Sequence, residues 1–389
     1  MQHDLNHLIQ NLLDELVESG EEVGLQVAAY LDGRLVVEAW AGLADEATGR
    51  PVDGETLFTS WSTTKGFVAT CLHLLADRGL VAYDNPVATY WPEFAANGKA
   101  AITVRQILTH SAGIPHMPEG VTPDMMTDWT AMCMAIAGHA PLWKPGSKVA
   151  YHAWTFGWLI GEIIRRVDGR SIAQFAREEL CLPLGIEDFY LGIPAEVEHR
   201  VAPLRQARPP AGSPIEVSDL NLRVLPPQVT SARVVNRPEV RRASIPGGGG
   251  VITARAVARH YAMLADFGQW QGTRLLSGER VELSRSLQTD AWDEVLEARN
   301  RKGLGYMLGG HDEEGGDIRM GRSGGEFGHP GNGGSLGFAD PARKLGFGLT
   351  KNLMRSGLAR EQTTAYRVAE AIRQYLDQTP LNPPAAESS

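Results

Sequence analysis

The sequence predicts an α/β protein of the α+β type, in which both ends of the chain build one antiparallel sheet flanked by helices. Three patterns predict it: a helix and a hairpin near the start, strands and an amphipathic helix near the end, and helical patterns interrupted by proline and glycine between them. The middle is expected to be an inserted, mostly helical domain. We assign 1–84 and 241–378 to the sheet domain, 85–240 to the helical domain and 379–389 to a disordered tail.

The first elements of the predicted sheet domain are a helix and a hairpin. Seven apolar residues near the start share one helical face: Leu5, Leu8, Ile9, Leu12, Leu13, Leu16 and Val17. The apolar-rich runs 23–30 and 34–41 flank a turn containing Asp32-Gly33, and an Asp-Gly pair between such runs is typical of a tight hairpin. A second helix is predicted over 62–78, because Gly79 supplies a stop signal.

The most regular helical pattern lies in the middle of the chain. Its apolar residues repeat at i, i+3, i+4, i+7, i+8 and i+11: Phe156, Leu159, Ile160, Ile163, Ile164 and Val167. Two arginines and then Gly169 indicate where this helix ends. Strands are predicted over 332–339 and 345–352, and a last amphipathic helix over 359–377.

Composition and charge exclude several function classes. Of the 389 residues, 43% are hydrophobic and 21% charged, as in an average soluble globular protein. The 37 basic and 46 acidic residues give a net charge of −9, so we expect no nucleic-acid partner. No apolar run reaches the length of a membrane span, and the N-terminus has no secretory-signal pattern. We therefore predict a cytoplasmic protein without a membrane partner; the sequence does not indicate its oligomeric state.

The cysteine and histidine spacings do not favour a disulfide framework or a metal site. Cys71, Cys133 and Cys181 are far apart and odd in number. The 11 histidines never form His-Glu-x-x-His or another ligand spacing. We expect neither a metal nor another cofactor.

The hydrolase signature Gly-x-Ser-x-Gly occurs twice, around Ser323 and around Ser335. A nucleophile elbow needs a strand before the serine, a helix after it, and then an acid and a histidine. No histidine follows Ser335, because His329 is the last one in the chain. After Ser323 only Glu326 and His329 remain, within a glycine-rich stretch without a helical pattern. We therefore interpret both copies as glycine-rich strand edges.

A different nucleophile motif, Ser62-Thr63-Thr64-Lys65, opens the second predicted helix. Residues three apart lie on the same helical face, so the Lys65 amine can reach the Ser62 hydroxyl. The amine can remove the hydroxyl proton if burial or a cationic neighbour keeps it neutral. By itself the motif fits an N-cap serine followed by a solvated lysine equally well.

Two further segments can complete a site. Tyr151-His152-Ala153 directly precedes the regular middle helix, where a tyrosine either faces a groove between the domains or packs the helix entrance. The glycine-rich segment 327–334 leads into a strand. Its glycines either let backbone N–H groups approach a substrate oxygen or form a simple bulge at a sheet edge.

Together and in this order, the three segments resemble the motifs of the serine β-lactamase-like superfamily, which includes class C β-lactamases, DD-peptidases and family VIII carboxylesterases. In that superfamily Ser-x-x-Lys is followed by a tyrosine motif on the helical domain and by Lys-Thr-Gly, His-x-Gly or Trp-x-Gly on a strand. Segment 104–115 is similar to the superfamily's Leu-Thr-His-Thr-Ser-Gly-Leu segment, and we interpret its His110 as a hydrogen-bonded core residue. The resemblance covers roughly residues 20–375 and implies a β-lactamase/transpeptidase-like fold.

The resemblance also implies residue roles. Ser62 would be the acylated nucleophile, Lys65 its base and Tyr151 the group that transfers a proton to the leaving group. The backbone N–H groups of Ser62 and Asn332 would form the oxyanion hole. Four residues would shape the site or contact the substrate: His329, His152, Gly331 and Trp154. For His152 and Trp154, a role in packing is equally compatible with the sequence.

Two departures from the β-lactamase motifs favour an ester substrate. Ala153 stands where β-lactamases have an asparagine that can hydrogen-bond a β-lactam side chain. His329 replaces a lysine and so removes a permanent cation that could pair with the β-lactam carboxylate. The leading hypothesis is a cytoplasmic serine carboxylesterase for small to medium acyl esters, a small-molecule substrate class, with weak β-lactam hydrolysis left open.

Two alternatives remain. A β-lactamase or an acyltransferase would use the same Ser62, Lys65 and Tyr151 and differ in its pocket and acyl acceptor. A non-catalytic, penicillin-recognition-type binding module would keep the fold without the chemistry. The presence of all three residues argues against such a module, which has no need of them.

Overall fold

A computed structural model describes residues 2–207, 217–355 and 357–379. Apart from Thr379, the predicted disordered tail lies outside the described residues. The strands, in chain order, are β1 (Gly24–Leu31), β2 (Arg34–Asp45), β3 (Arg50–Pro51), β4 (Leu57–Thr59), β5 (Phe189–Leu191), β6 (Val201–Ala202), β7 (Arg205–Gln206), β8 (Gly250–Ile252), β9 (Gln269–Trp270), β10 (Thr273–Arg274), β11 (Trp292–Asp293), β12 (Ala298–Arg299), β13 (Met307–Leu308), β14 (Phe327–Pro330), β15 (Leu336–Asp340), β16 (Leu345–Lys351) and β17 (Leu353–Met354).

The α-helices of the described residues are α1 (Gln2–Glu18), α2 (Thr64–Asp77), α3 (Val104–Leu108), α4 (Pro123–Thr127), α5 (Trp129–Gly138), α6 (Thr155–Asp168), α7 (Ile172–Phe175), α8 (Leu182–Leu184), α9 (Asp219–Val224), α10 (Pro227–Thr230), α11 (Ala232–Val235), α12 (Pro238–Arg241), α13 (Ala254–Ala265), α14 (Gly278–Arg285) and α15 (Thr364–Gln378). A 3-10 turn, Trp61–Thr63, leads directly into α2. A π-helical turn, Ala176–Cys181, joins α7 to α8. No described helix is long and apolar enough to cross a membrane.

The main sheet confirms the predicted fold class. Its seven strands run in the order β13-β14-β15-β16-β1-β2-β3, and each neighbouring pair is antiparallel. The two ends of the chain meet inside this sheet, since β1 pairs with β16 and places Leu25 opposite Lys351. The predicted hairpin joins β1 to β2, with Asp32 (φ 47°) and Gly33 (φ 73°) in the left-handed region that a tight turn requires.

Helix α13 lies directly on one face of the sheet because glycines remove the side chains there. A Cβ atom on Gly337 would lie 2.3 Å from the Tyr261 ring, and one on Gly346 or Gly348 would lie 2.2–2.4 Å from the backbone of α13. Gly337 and Gly348 are also paired across β15 and β16. The glycine-rich C-terminal strands are therefore a packing surface for a helix.

A smaller sheet positions the predicted nucleophile. Its order is β5-β8-β4-β6, and β4 ends two residues before the 3-10 turn that carries Ser62. Helix α6 packs against α2, so the segment before α6 lies close to the start of α2. The approach at that end is tight, since a Cβ on Gly157 would lie 2.0 Å from the Gly247 nitrogen.

Several element boundaries differ from the predicted ones. The strand predicted over 332–339 begins at Leu336, because the preceding residues turn back and Gly331 N–H bonds to the Ser335 oxygen (2.8 Å). The last helix begins at Thr364 because the Thr363 side chain caps it by accepting from Tyr366 N–H. On α1, one residue of the predicted apolar face, Leu8, is 43% exposed. Other residues of that face are buried: Leu5, Ile9, Leu13 and Leu16. The domain boundaries at 84/85 and 240/241 remain predictions.

Candidate active site

Ser62 lies in a strained turn at the start of α2. Trp61, directly before it, has a left-handed backbone (φ 49°), which costs a non-glycine residue about 1–2 kcal/mol. The turn is tied to β8, because Ser60 N–H donates to the Gly250 oxygen (2.8 Å) and Gly250 N–H donates to Thr64 Oγ1 (3.0 Å). Ser62 is partly exposed and lines a cleft, so a substrate can reach it.

Lys65 is fully buried beneath Ser62. Its Nζ atom lies 3.0 Å from Ser62 Oγ and donates to the main-chain oxygens of Ala153 (2.6 Å) and Gly247 (2.5 Å). Burial lowers the pKa of Lys65 well below the ordinary lysine value, and within the described chain no carboxylate forms an ion pair with it. The environment therefore favours a neutral amine next to the hydroxyl.

Tyr151 faces the same point from the segment before α6. Its ring centroid is 4.8 Å from Lys65 Nζ, and burial raises the pKa of its phenol, an effect that the nearby Ser62 hydroxyl partly opposes. No partner of the Tyr151 hydroxyl among the described residues meets full hydrogen-bond geometry. The structure thus brings together the three residues predicted from the motifs and leaves Tyr151 with an unused proton.

A buried ion pair holds the backbone of Tyr151. The Asp293 carboxylate accepts a hydrogen bond from Tyr151 N–H (3.0 Å) and forms an ion pair with Lys302 Nζ (2.9 Å). The side chains of Asp293 and Lys302 are at most 1% exposed. The same carboxylate accepts from the N–H groups of Val295 and Leu296, which line the cleft. Asp293 therefore positions both Tyr151 and part of the cleft wall.

Sequence reasoning did not find this pair. Asp293 is 142 positions from Tyr151 and belongs to no motif with a fixed spacing. Only the tertiary structure brings 293 beside 149–151, through a parallel bridge between Val149 and Asp293 and the hydrogen bond from Glu294 N–H to the Val149 oxygen (2.9 Å).

The turn between β14 and β15 approaches the Ser62 turn closely. A Cβ on Gly331 would lie 2.0 Å from Ser335 Oγ and 2.4 Å from the Ser60 oxygen, so only glycine fits there. Asn332 follows and lines the cleft beside Ser62, and no described residue accepts a hydrogen bond from its backbone N–H. This N–H remains available to a substrate oxygen.

The cleft that contains these groups has a volume of about 540 Å³, within the usual range for a small-molecule site. Most of its wall is apolar, with contributions from Trp61, Trp154, Leu222, Leu225, Val295 and Met307. Two charged side chains also line it, Glu297 and Arg319. Arg319 is held by a bidentate ion pair with Asp317 (2.9 and 2.7 Å).

The residues predicted to contact the substrate fall into two groups. Trp154 and Gly331 line the cleft. His152 and His329 are 0% and 1% exposed and are not among the residues that line it, so a substrate contact from either ring stays a prediction. The ring of each is turned inward, with Nδ1 2.7 Å from the Ala150 oxygen and 2.8 Å from the Pro330 oxygen, respectively.

The two rings are also uncharged. Burial lowers the pKa of His152 to about 4 and that of His329 to about 3, with Lys65 adding to the effect on His329. His110, which is 3% exposed, accepts a hydrogen bond from His152 N–H (3.1 Å) and is a core residue as interpreted from the sequence. These three histidines are therefore buried next to the cleft lining and do not form part of it.

Neither Gly-x-Ser-x-Gly serine meets an acid–base pair. Ser323 is exposed and accepts from Gly325 N–H (3.2 Å). Ser335 is 3% exposed and bonds to the Ser62 turn instead. Among the described residues, no three His, Cys, Asp or Glu side chains are grouped so that they could hold a metal ion.

A family model described as Beta-lactamase matches residues 9–371. The chain belongs to the beta-lactamase family. It is 36% identical over 366 residues to the esterase/beta-lactamase LipL of Mycobacterium tuberculosis, with 86% of this chain and 78% of LipL covered. The crystal structure of a family VIII carboxylesterase superposes with a TM-score of 0.86 at 34% identity, covering 95% of this chain and 97% of that one.

A penicillin-binding protein homologue from Caulobacter crescentus is equally similar in structure. Its TM-score is 0.86 at 34% identity, with the same 95% and 97% coverage. A family VIII carboxylesterase and a penicillin-binding protein homologue thus share this architecture. The comparisons support a serine hydrolase of the β-lactamase fold, and they place esterases among the proteins that resemble it.

Proposed function

We propose that this protein is a serine carboxylesterase that hydrolyses small to medium acyl esters through an acyl-enzyme on Ser62. The observation that carries the proposal is the position of Lys65: its amine is buried, has no carboxylate partner among the described residues, and lies 3.0 Å from Ser62 Oγ. The relatives and structural neighbours that are esterases add to this support.

A neutral Lys65 is arranged to act as the base. A neutral amine has two N–H groups and one lone pair, and the oxygens of Ala153 and Gly247 take the two N–H groups. The lone pair is left for the Ser62 hydroxyl. In the first step Ser62 Oγ attacks the ester carbonyl carbon while its proton moves to Lys65 Nζ.

Tyr151 supplies the second proton transfer. Burial keeps its phenol protonated, so it can donate to the departing alkoxide and recover a proton from the charged Lys65 amine nearby. In deacylation the same groups act in reverse: water gives up a proton and attacks the acyl carbon, and Ser62 Oγ regains its hydrogen. The second half-reaction therefore needs no further residue.

The oxyanion hole is assigned to the backbone N–H groups of Ser62 and Asn332, two residues that line the same cleft. Loss of one such donor typically lowers the rate by about 10²–10³-fold. Gly331 supports the assignment, because its missing side chain lets the turn that carries Asn332 come close to Ser60.

The lining of the cleft favours a neutral ester over a β-lactam. Ala153 offers no side-chain donor, and His329 is both buried and neutral, so it cannot pair with a β-lactam carboxylate. A mostly apolar cavity of about 540 Å³ suits a short to medium acyl chain. The substrate that this cleft suits is therefore a small-molecule ester.

The test is hydrolysis of p-nitrophenyl butyrate and of nitrocefin by the wild-type protein, Ser62→Ala and Ser323→Ala. Ester turnover is expected to disappear in Ser62→Ala, to persist in Ser323→Ala and to exceed nitrocefin turnover by a wide margin. Activity retained in Ser62→Ala would overturn the assigned nucleophile. Nitrocefin turnover equal to ester turnover would instead favour the β-lactamase alternative. The relative LipL is described as both an esterase and a beta-lactamase.

A further inference from the structure

We infer that Ser335 is a positioning residue that holds the two halves of the oxyanion hole at their working separation. The inference rests on the proposed oxyanion hole of Ser62 and Asn332. The Ser335 hydroxyl is buried, and it donates to the main-chain oxygen of Ser60 (2.7 Å), a residue 275 positions away in the chain. It therefore joins the C-terminal turn to the nucleophile turn.

The bonding around Ser335 allows a single arrangement of hydrogens. Because a serine hydroxyl has one hydrogen and Ser60 takes it, Thr63 Oγ1 at 3.2 Å must donate to Ser335 Oγ. The main-chain oxygen of Ser335 accepts from Gly331 N–H (2.8 Å). Ser335 therefore contacts Ser60 and Thr63, which flank Trp61 and Ser62. It also contacts Gly331, the residue directly before Asn332.

The nucleophile turn needs such a contact because it is strained. Its left-handed Trp61 is retained only if the surrounding structure determines the backbone on both sides. On one side Gly250 of β8 binds Ser60 N–H and Thr64. From the C-terminal turn, the Ser335 hydroxyl donates to the Ser60 oxygen. Among the described residues it is the side chain that donates to this oxygen.

The turn that contains Gly331 and the turn that contains Ser60 are also closely packed at this contact. The Cα of Gly331 lies so close to Ser335 Oγ and the Ser60 oxygen that a Cβ would be 2.0 and 2.4 Å from them. Removing the Ser335 hydroxyl opens a small gap at this contact and leaves the Thr63 hydroxyl without its acceptor. The Asn332 N–H can then move relative to the Ser62 N–H.

The expected consequence falls on the transition state. Displacements of about 1 Å can cost on the order of 10²-fold in rate, and an oxyanion-hole donor acts mainly when charge develops on the oxygen. We expect Ser335→Ala to lower kcat for p-nitrophenyl butyrate by about 10- to 100-fold and to change KM by less than about threefold. Ser335→Thr, which keeps the hydroxyl, is expected to recover most of this loss.

The experiment compares Ser335→Ala, Ser335→Thr and the matched control Ser323→Ala, the serine of the other Gly-x-Ser-x-Gly copy. For each we would measure kcat, KM, the melting temperature and the inhibition constant of butylboronic acid, whose tetrahedral adduct imitates the transition state. Weaker boronate inhibition that parallels the loss of kcat, with a folded protein and unchanged Ser323→Ala, is the expected result. A kcat within about twofold of wild type in folded Ser335→Ala, or a loss of kcat without weaker boronate inhibition, would overturn the inference.

Labelling with a fluorophosphonate separates this inference from the proposed function. Label on Ser62 in the wild type and in Ser335→Ala, with no turnover in Ser62→Ala, keeps the proposed nucleophile whatever happens to kcat. Label on Ser335 would make that residue the nucleophile and overturn both proposals. Turnover in Ser62→Ala with no label on Ser62 would remove the proposed function and, with it, the oxyanion hole on which the inference rests.

Discussion

Two buried lysines near Tyr151, Lys65 and Lys302, have opposite surroundings. Lys65 Nζ meets three neutral oxygens, those of Ser62, Ala153 and Gly247. Lys302 Nζ meets the carboxylate of Asp293 at 2.9 Å. Burial lowers the pKa of both lysines, but Asp293 raises that of Lys302 in opposition, whereas nothing offsets burial at Lys65.

The difference shows how one residue type can serve chemistry or architecture. A buried ammonium is costly without an anion, so the surroundings of Lys65 favour the neutral amine that the proposed mechanism requires. Lys302 instead has the Asp293 carboxylate as its ion-pair partner, and this carboxylate fixes the backbone of Tyr151 and the cleft wall.

Replacing Lys65 is expected to abolish catalysis, and replacing a surface lysine is not. Lys65→Met should lower kcat/KM for p-nitrophenyl butyrate by about 10⁴-fold or more, because no other amine among the described residues lies within hydrogen-bond distance of Ser62 Oγ. The exposed Lys144 provides the matched control, and Lys144→Met should keep wild-type activity. More than a tenth of wild-type activity in folded Lys65→Met would contradict the assigned base.

Breaking the other pair is expected to reduce stability first. Lys302→Met leaves the Asp293 carboxylate buried without its cation, which should lower the free energy of unfolding by about 3–5 kcal/mol. The double variant Lys302→Met with Asp293→Asn should lose less than Lys302→Met alone, since no unpaired charge remains. Urea unfolding followed by circular dichroism measures both. Equal losses in the single and double variants would show that the charge pairing is not the stabilising factor.

The pH dependence of catalysis should follow Lys65 and not Lys302. Because the pKa of Lys65 is lowered and the neutral amine is the active form, kcat/KM should rise with pH through that lowered pKa and then level off. Lys302→Arg keeps the positive charge and should leave the rising limb in place. A kcat/KM that falls steadily between about pH 6 and about pH 9 would contradict a neutral lysine base.

The smallest effect is expected at Ala153, whose main-chain oxygen binds Lys65 while its side chain faces the cleft. Ala153→Asn restores the amide of the β-lactamase tyrosine motif and should raise nitrocefin turnover relative to ester turnover by about 2- to 10-fold, the value of one hydrogen bond. Ala153→Val adds bulk without a donor and serves as the control. An equal change in both variants would attribute the effect to shape rather than to the amide.

Much of the fold could be predicted because the patterns are local. The hairpin at Asp32-Gly33 and the helix ending at Gly169 each depend on backbone conformations that a few neighbouring residues determine. The antiparallel sheet shared by both ends and the β-lactamase family are confirmed. Boundaries such as the start of β15 were missed because the Gly331–Ser335 turn is set by contacts with Ser60 and Thr63.

The site was predictable in part for the same reason. Helical spacing places Lys65 near Ser62 whatever the rest of the fold does. The positions of His152 and His329 were not predictable, because whether a ring faces the cleft or the core depends on main-chain oxygens beside it. The contact made by Ser335 could not be predicted from its motif. The Gly-x-Ser-x-Gly pattern is typical of a nucleophile, whereas the structure shows a hydrogen bond between two turns.

By itself, then, the sequence determined the helices and hairpin, the Ser62–Lys65 spacing and the set of motifs that identifies the family. Only the tertiary structure decided which of two buried lysines has a carboxylate partner and which serine bridges to the nucleophile turn. The physical reason is that helical spacing and turn conformation act over a few residues, whereas pKa values and close approaches depend on atoms brought together from positions 60, 153, 247, 293 and 335.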